Sequence, residues 1–128
     1  MNPVVHFEMP YQDRERMAKF YTDAFGWTAQ IMGAEYGNYV VVHTTETDDN
    51  NMVKTPGAIN GGFFEKSSDN AYPSVVLNVD DIRAAMQKVE EAGGKVLGEP
   101  VEIPGIGTYV SFTDTEGNRV SLMQPMAR

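Results

Sequence analysis

The chain has 128 residues, 10 Lys and Arg against 18 Asp and Glu, a formal charge of −8 and no cysteine. That length suits one domain with its own core and is short for two, and an acidic chain without a basic cluster lacks the electrostatics a phosphate backbone demands, so no nucleic-acid partner is expected. No apolar run approaches the roughly 18 residues of a membrane-spanning helix, and the missing cysteines remove disulfides, thiolate ligands and thiol nucleophiles together.

The first element, MNPVVHFEMP, alternates with period two, which places Val5, Phe7 and Met9 on one face of a strand and His6 and Glu8 on the other. No basic segment, apolar stretch and cleavage site precede it, so a cytoplasmic protein is expected. A neutral imidazole binds transition metals and also titrates near neutrality. His6 therefore has three readings: a metal ligand, an acid or base paired with Glu8, or a hydrogen-bonded polar contact.

The period then lengthens to about 3.6 residues, with Met17, Phe20, Tyr21, Ala24 and Phe25 at helical spacing, Asp13 as N-cap and Gly26 as terminator. A helix is expected from about 13 to 25. The stretches WTAQIM, EYGNYVVVHTT and AINGGFFEK follow as strands. The polar segment 44–57 between the last two is long for a connector and is read as a lid carrying Met52 and Val53 or, as its composition favours, a mobile link. GGFF lacks the pattern of a phosphate loop, so its glycines are expected to let the strand bend or a ligand approach the backbone.

From Tyr72 the order repeats: SVVLNV as a strand, DDIRAAMQKVEEAGG as an amphipathic helix, then KVLGEPVEI, GTYVSFTD and NRVSLMQP, the last two joined by DTEGN. A shift of 68 residues lays His6 on Ser74 and Asp13 on Asp81. Val5, Phe7 and Met9 in one half, and Val75, Leu77 and Val79 in the other, would pack beneath the helices, leaving His6, Glu8, Ser74, Val76 and Asn78 on the open faces. The serines do not sit on the strained turn that a serine nucleophile requires.

VVHFEMPYQDRERMAKFYTDAFGW, VVLNVDDIRAAMQKVEEAGGKV and FTDTEGNRVSLMQP together resemble the vicinal oxygen chelate superfamily of glyoxalase I, bleomycin resistance proteins and extradiol dioxygenases. The resemblance implies an α+β fold of two tandem βαβββ modules, about 1–66 and 70–128 of a single 1–128 domain, forming a cupped mixed sheet around a pocket, often in a homodimer. In metal-dependent members a divalent ion is held by a His or similar residue on each module's first strand and a carboxylate on each last strand. By that comparison His6 matches the first position, while Ser74 and Ser121 stand at the second module's two positions and Asn60, Gly61 or Gly62 at the remaining one.

A serine hydroxyl is a poor ligand for a divalent ion, and catalytic sites usually need three protein ligands. No metal cofactor is expected, with Glu8 and His43 the residues able to complete an unforeseen site. The leading expectation is a metal-free protein that binds a small molecule in a pocket lined by His6, Glu8, Tyr39, Phe63, Ser74, Tyr109 and Ser121. Trp27, Tyr36 and Phe64 complete the aromatic supply for a planar or cationic ligand, although aromatics at such positions are core more often than contacts and Trp27 is expected to pack. The alternative is a glyoxalase-I-like lyase or isomerase, metal-dependent or using His6 and Glu8 as an acid/base pair.

Overall fold

The computed structural model describes residues 1–50 and 52–126. They fall into two compact units, one of residues 6–73 and one that joins residues 1–5 to the chain from Ser74 onward. The elements of the first run in the order β1 (Val4–Tyr11), which belongs to this unit from His6 on, α1 (Arg14–Phe25), β2 (Thr28–Ile31), a 3-10 turn at Ala34–Tyr36, β3 (Val40–His43) and β4 (Asn60–Glu65). Those of the second are β5 (Ser74–Asn78), α2 (Ile82–Glu91), β6 (Lys95–Val96), β7 (Val101–Ile103), β8 (Gly107–Thr113) and β9 (Arg119–Pro125).

In the unit of residues 6–73 the strand order is β2-β3-β4-β1. The pairs β2:β3 and β3:β4 are antiparallel, while β1 and β4 run parallel with His6 opposite Asn60 and Glu8 opposite Gly62. Helix α1 starts where Asp13 Oδ1 accepts from the Arg16 N–H at 3.0 Å and ends where Gly26 takes φ 73°. A residue without Cβ adopts that left-handed conformation at no steric cost. Phe7, Met9, Met17, Tyr21 and Trp27 pack around buried Tyr11, Val40, Val42 and Phe63. Tyr21 lies flat on Trp27, ring centroids 4.6 Å apart, and 5.5 Å from Phe63.

Two of the apolar residues at helical spacing on α1 are open, since Phe20 is 57% and Phe25 64% exposed. Met17 and Tyr21 already fill the inward stripe of α1, and the two phenylalanines gather at the rim of Tyr21, with centroids at 5.0 and 6.0 Å. The expected strand EYGNYVVVHTT is shortened, because its first residues form the 3-10 turn, followed by Gly37 and Asn38 with φ of 65° and 57°. Segment 44–57, apart from position 51, which lies outside the described residues, is not a structureless link. Thr47 bridges Val53, Asp48 Oδ1 accepts from the Asn50 and Met52 N–H groups, and Asn60 Oδ1 accepts from the Thr44 and Thr45 N–H groups at 2.8 and 3.2 Å.

In the other unit the order is β5-β9-β8-β6, with β7 also on β8. KVLGEPVEI is therefore one strand broken in two, since Lys95–Val96 and Val101–Ile103 pair with successive parts of β8. The break holds Gly98 at φ 96° and Pro100, which has no N–H to give to a ladder. Leu77, Ala85, Met86, Val89, Val96 and Val120 pack on buried Val79, Ile82, Val110, Phe112 and Leu122. Val5 and Val75, expected beneath the helices, are exposed instead. Asp81 caps α2 through the Ala84 N–H as Asp13 caps α1, so the 68-residue repeat is realised at the helix starts. Among the described residues no helix is long and apolar enough to cross a membrane.

The paired glycines of β4 serve its two faces separately. On the helix face a Cβ at Gly61 would meet the Phe7 ring at 2.5 Å, and on the open face a Cβ at Gly62 would collide with the Tyr39 phenol. The strand carries two glycines because two aromatic rings lie across it. Gly61→Ala should force Phe7 off its seat and lower stability by about 1–3 kcal/mol, the usual cost of overpacking. Urea unfolding would read this as a lower midpoint at unchanged slope, and a midpoint equal to wild type would mean that Phe7 can leave β4 without loss.

Candidate functional site

Strand alternation brings His6 and Glu8 to the face of β1 opposite Phe7 and Met9. Glu8 is buried and stands opposite Gly62 in the parallel register. Tyr39, the residue before β3, comes from the far side of β4 by a defined route. The 3-10 turn closes with Gly37 N–H donating to the Ala34 carbonyl at 3.0 Å, and Tyr11 Oη donates to the Asn38 carbonyl at 2.7 Å, anchoring the turn to β1. Asn38 is the one non-glycine with positive φ among the described residues, a conformation that asparagine tolerates better than most. Tyr39 then begins the run into β3, and its Oη lies 3.1 Å from His6 Nε2.

Burial lowers the His6 pKa from its ordinary 6.5 to about 4, because removing water penalises the charged imidazolium. The ring is neutral at physiological pH, and its Nε2 is engaged with a phenol. That pair can exchange the roles of donor and acceptor according to which ring nitrogen carries the proton.

The open face of the other unit carries a chain of hydroxyls. Ser121 on β9 is 2% exposed, and its Oγ lies 2.6 Å from Tyr109 Oη and 2.9 Å from Ser111 Oγ. A hydroxyl both donates and accepts, so Ser121 can bridge the other two. Ser111 was not expected from the sequence. The turn DTEGN carried the signal for it, since counting back from that turn sets Ser111 opposite Ser121. Ser74 begins β5 and is half-buried.

Phe63 does not belong to a ligand-lining set. It is fully buried in the core beneath α1 and packs on Tyr21, because odd positions of β4 face the helix and even positions face away, which puts Phe64 on the open face. Trp27 packs as expected. His43, at the end of β3, lines a separate depression with Thr28, Thr44, Thr45 and Thr47 that does not include His6. Asn60 Oδ1 is taken up by the two backbone N–H groups of segment 44–57. Among the described residues no three His, Cys, Asp or Glu side chains are grouped so as to hold a metal ion.

The neutral burial of His6 has a consequence for stability. The unfolded chain takes up a proton as pH falls through 6.5, whereas the folded chain resists until about pH 4. Stability owed to this residue is thus complete above about pH 6.5 and is lost as pH drops toward 4. Between pH 7 and 4.5 wild type should lose roughly 2 kcal/mol more unfolding free energy than His6→Gln, measured by urea denaturation at both values. Equal losses would show that the imidazole is protonated without penalty.

Known proteins share this architecture. The chain is 34% identical over 116 residues to a glyoxylase-like domain-containing protein of Didymella fabae, covering 87% of this chain and 84% of the relative. It is 27% identical over 124 residues to a probable lactoylglutathione lyase of Vibrio cholerae, covering 94% and 89%. Among solved structures it is similar to a variant of Streptomyces coelicolor methylmalonyl-CoA epimerase in complex with 2-nitronate-propionyl-CoA, with a TM-score of 0.70 over 99% of this chain and 96% of that one. At 15% identity that likeness speaks for the fold alone. A family model for the Glyoxalase/Bleomycin resistance protein/Dioxygenase superfamily matches residues 4–122, and the chain belongs to that superfamily.

Proposed function

We propose that the protein binds a small molecule on the open sheet face that carries His6, Glu8 and Tyr39, and does so without a resident metal ion. The observation that carries this reading is the His6–Tyr39 hydrogen bond of 3.1 Å. It occupies the imidazole nitrogen nearest the phenol, and the carboxylates that would have to complete a metal's ligand set are not grouped around it among the described residues. Strands β1, β3 and β4 carry no Lys or Arg, so an anionic ligand would find no countercharge on them. The formal charge of −8 favours a neutral or cationic ligand instead.

A second reading is a lyase or isomerase. What favours it is the same imidazole–phenol pair, which can pass a proton, together with a relative named for lactoylglutathione lyase activity. The two readings separate in one set of assays. Chelator-treated protein should leave lactoylglutathione and methylmalonyl-CoA unchanged. Turnover by the metal-free protein would put the second reading ahead, and turnover that appears only with an added divalent ion would overturn the metal-free reading.

Equilibrium dialysis against cationic glycopeptides and planar aromatic metabolites should find a ligand whose affinity falls about tenfold or more in His6→Ala. That loss corresponds to the roughly 1–3 kcal/mol of a buried polar contact left unmatched. A panel in which nothing binds would defeat the binding reading.

A further inference from the structure

We propose that Gly62 is a positioning residue for His6: the missing side chain at 62 lets the Tyr39 phenol cross the central strand β4 and hydrogen-bond the imidazole on β1. The proposal rests on the His6 face being the ligand site, but neither its geometry nor its test requires a ligand.

In the unit of residues 6–73, β4 lies between β3 and β1. Tyr39 stands two positions before Val41, the residue opposite Gly62. On the other flank Gly62 is opposite Glu8, two positions after His6. A phenol leaving position 39 therefore has to pass over residue 62 before it reaches residue 6. A Cβ at 62 would collide with Oη, Cζ and Cε1 of Tyr39, so only glycine leaves that path open. Backbone conformation gives no other reason for glycine here, because Gly62 is not among the residues of positive φ.

The other unit holds the matching arrangement with a side chain in place. There β9 lies between β8 and β5. Tyr109 stands two positions before Ser111, which is opposite Ser121, and Ser121 is opposite Val76. The 68-residue shift that lays His6 on Ser74 lays Glu8 on Val76, so Ser121 takes the place of Gly62 and Tyr109 that of Tyr39. Here the central strand offers a hydroxyl, and Tyr109 Oη lies 2.6 Å from it. At Gly62 no side chain occupies that place, and the Tyr39 phenol lies over the bare backbone within 3.1 Å of His6 Nε2.

Gly62→Ser is the informative variant, because serine is accommodated at the matching register of the other unit. The readout is the ring 15N spectrum of the whole chain, which holds two histidines, with His43→Gln to assign them. Gly62→Ser should move the His6 Nε2 resonance to its value in Tyr39→Phe and leave His43 unmoved. Gly62→Ser/Tyr39→Ala should match Tyr39→Ala alone, because the collision at 62 is with the ring as well as the hydroxyl, whereas a role for Gly62 apart from Tyr39 would add a separate perturbation. Unchanged His6 resonances in Gly62→Ser, or a double variant that differs from Tyr39→Ala, would overturn the proposal. Should Gly62→Ser fail to fold, adding Tyr39→Ala should restore folding by removing the collision, and failure of that double variant also overturns it. The absence of a ligand in dialysis would leave these resonances as they are, so the two readings fail separately.

Discussion

The site depends on a steric fact about β4: two adjacent residues without side chains lie under two aromatic rings from opposite faces. Interiors are packed to the density of organic crystals, so a ring can lie directly on a strand only where the strand has no Cβ. Gly61 seats Phe7 against the helix-side core, and Gly62 seats Tyr39 on the open side. Phe7 in turn meets Trp27, with ring centroids 5.6 Å apart, and Trp27 stacks on Tyr21 of α1. The aromatic packing that holds the helix and the hydrogen bond that engages His6 thus pass through consecutive residues of one strand.

Burial then fixes the chemistry of the imidazole. An ionised His6 would have to be paid for by a counterion, but the partner the fold supplies is a phenol, and the pKa falls to about 4. A neutral ring with one nitrogen engaged is a group for hydrogen bonding and proton exchange. The other unit makes the same choice in a different way, burying Ser111 and Ser121 with mutually satisfied hydroxyls and no charge.

Much of this was legible in the sequence. Both helix starts were marked by Asp13 and Asp81, the repeat by its 68-residue shift, and the face shared by His6 and Glu8 by simple alternation. What was hidden depended on partners rather than on pattern. Phe20 and Phe25 have helical spacing, but spacing cannot say how wide a stripe the sheet can cover, and Met17 with Tyr21 sufficed. Phe63 is as aromatic as Phe64, and only the parity of β4 against β1, set by the parallel register, separates core from open face. The break in KVLGEPVEI was announced by Gly98 and Pro100. GGFF named the right residues, although what approaches their backbone is the protein's own aromatic rings.

Residue 62 also shows how one architecture yields unlike sites from like parts. Each unit brings a tyrosine to the strand preceding its last, in the same register and on the same face. A serine at the last strand turns that tyrosine into one member of an inward-looking hydroxyl chain, while a glycine releases it to the histidine of the first strand. In both units the phenol lies over the central strand: Tyr109 Oη meets Ser121 there, and Tyr39 Oη, with no side chain beneath it, meets the imidazole of the next strand. A change of polar partner of this kind, made without altering the backbone, is a route by which a duplicated unit diverges in what it can recognise while keeping its fold.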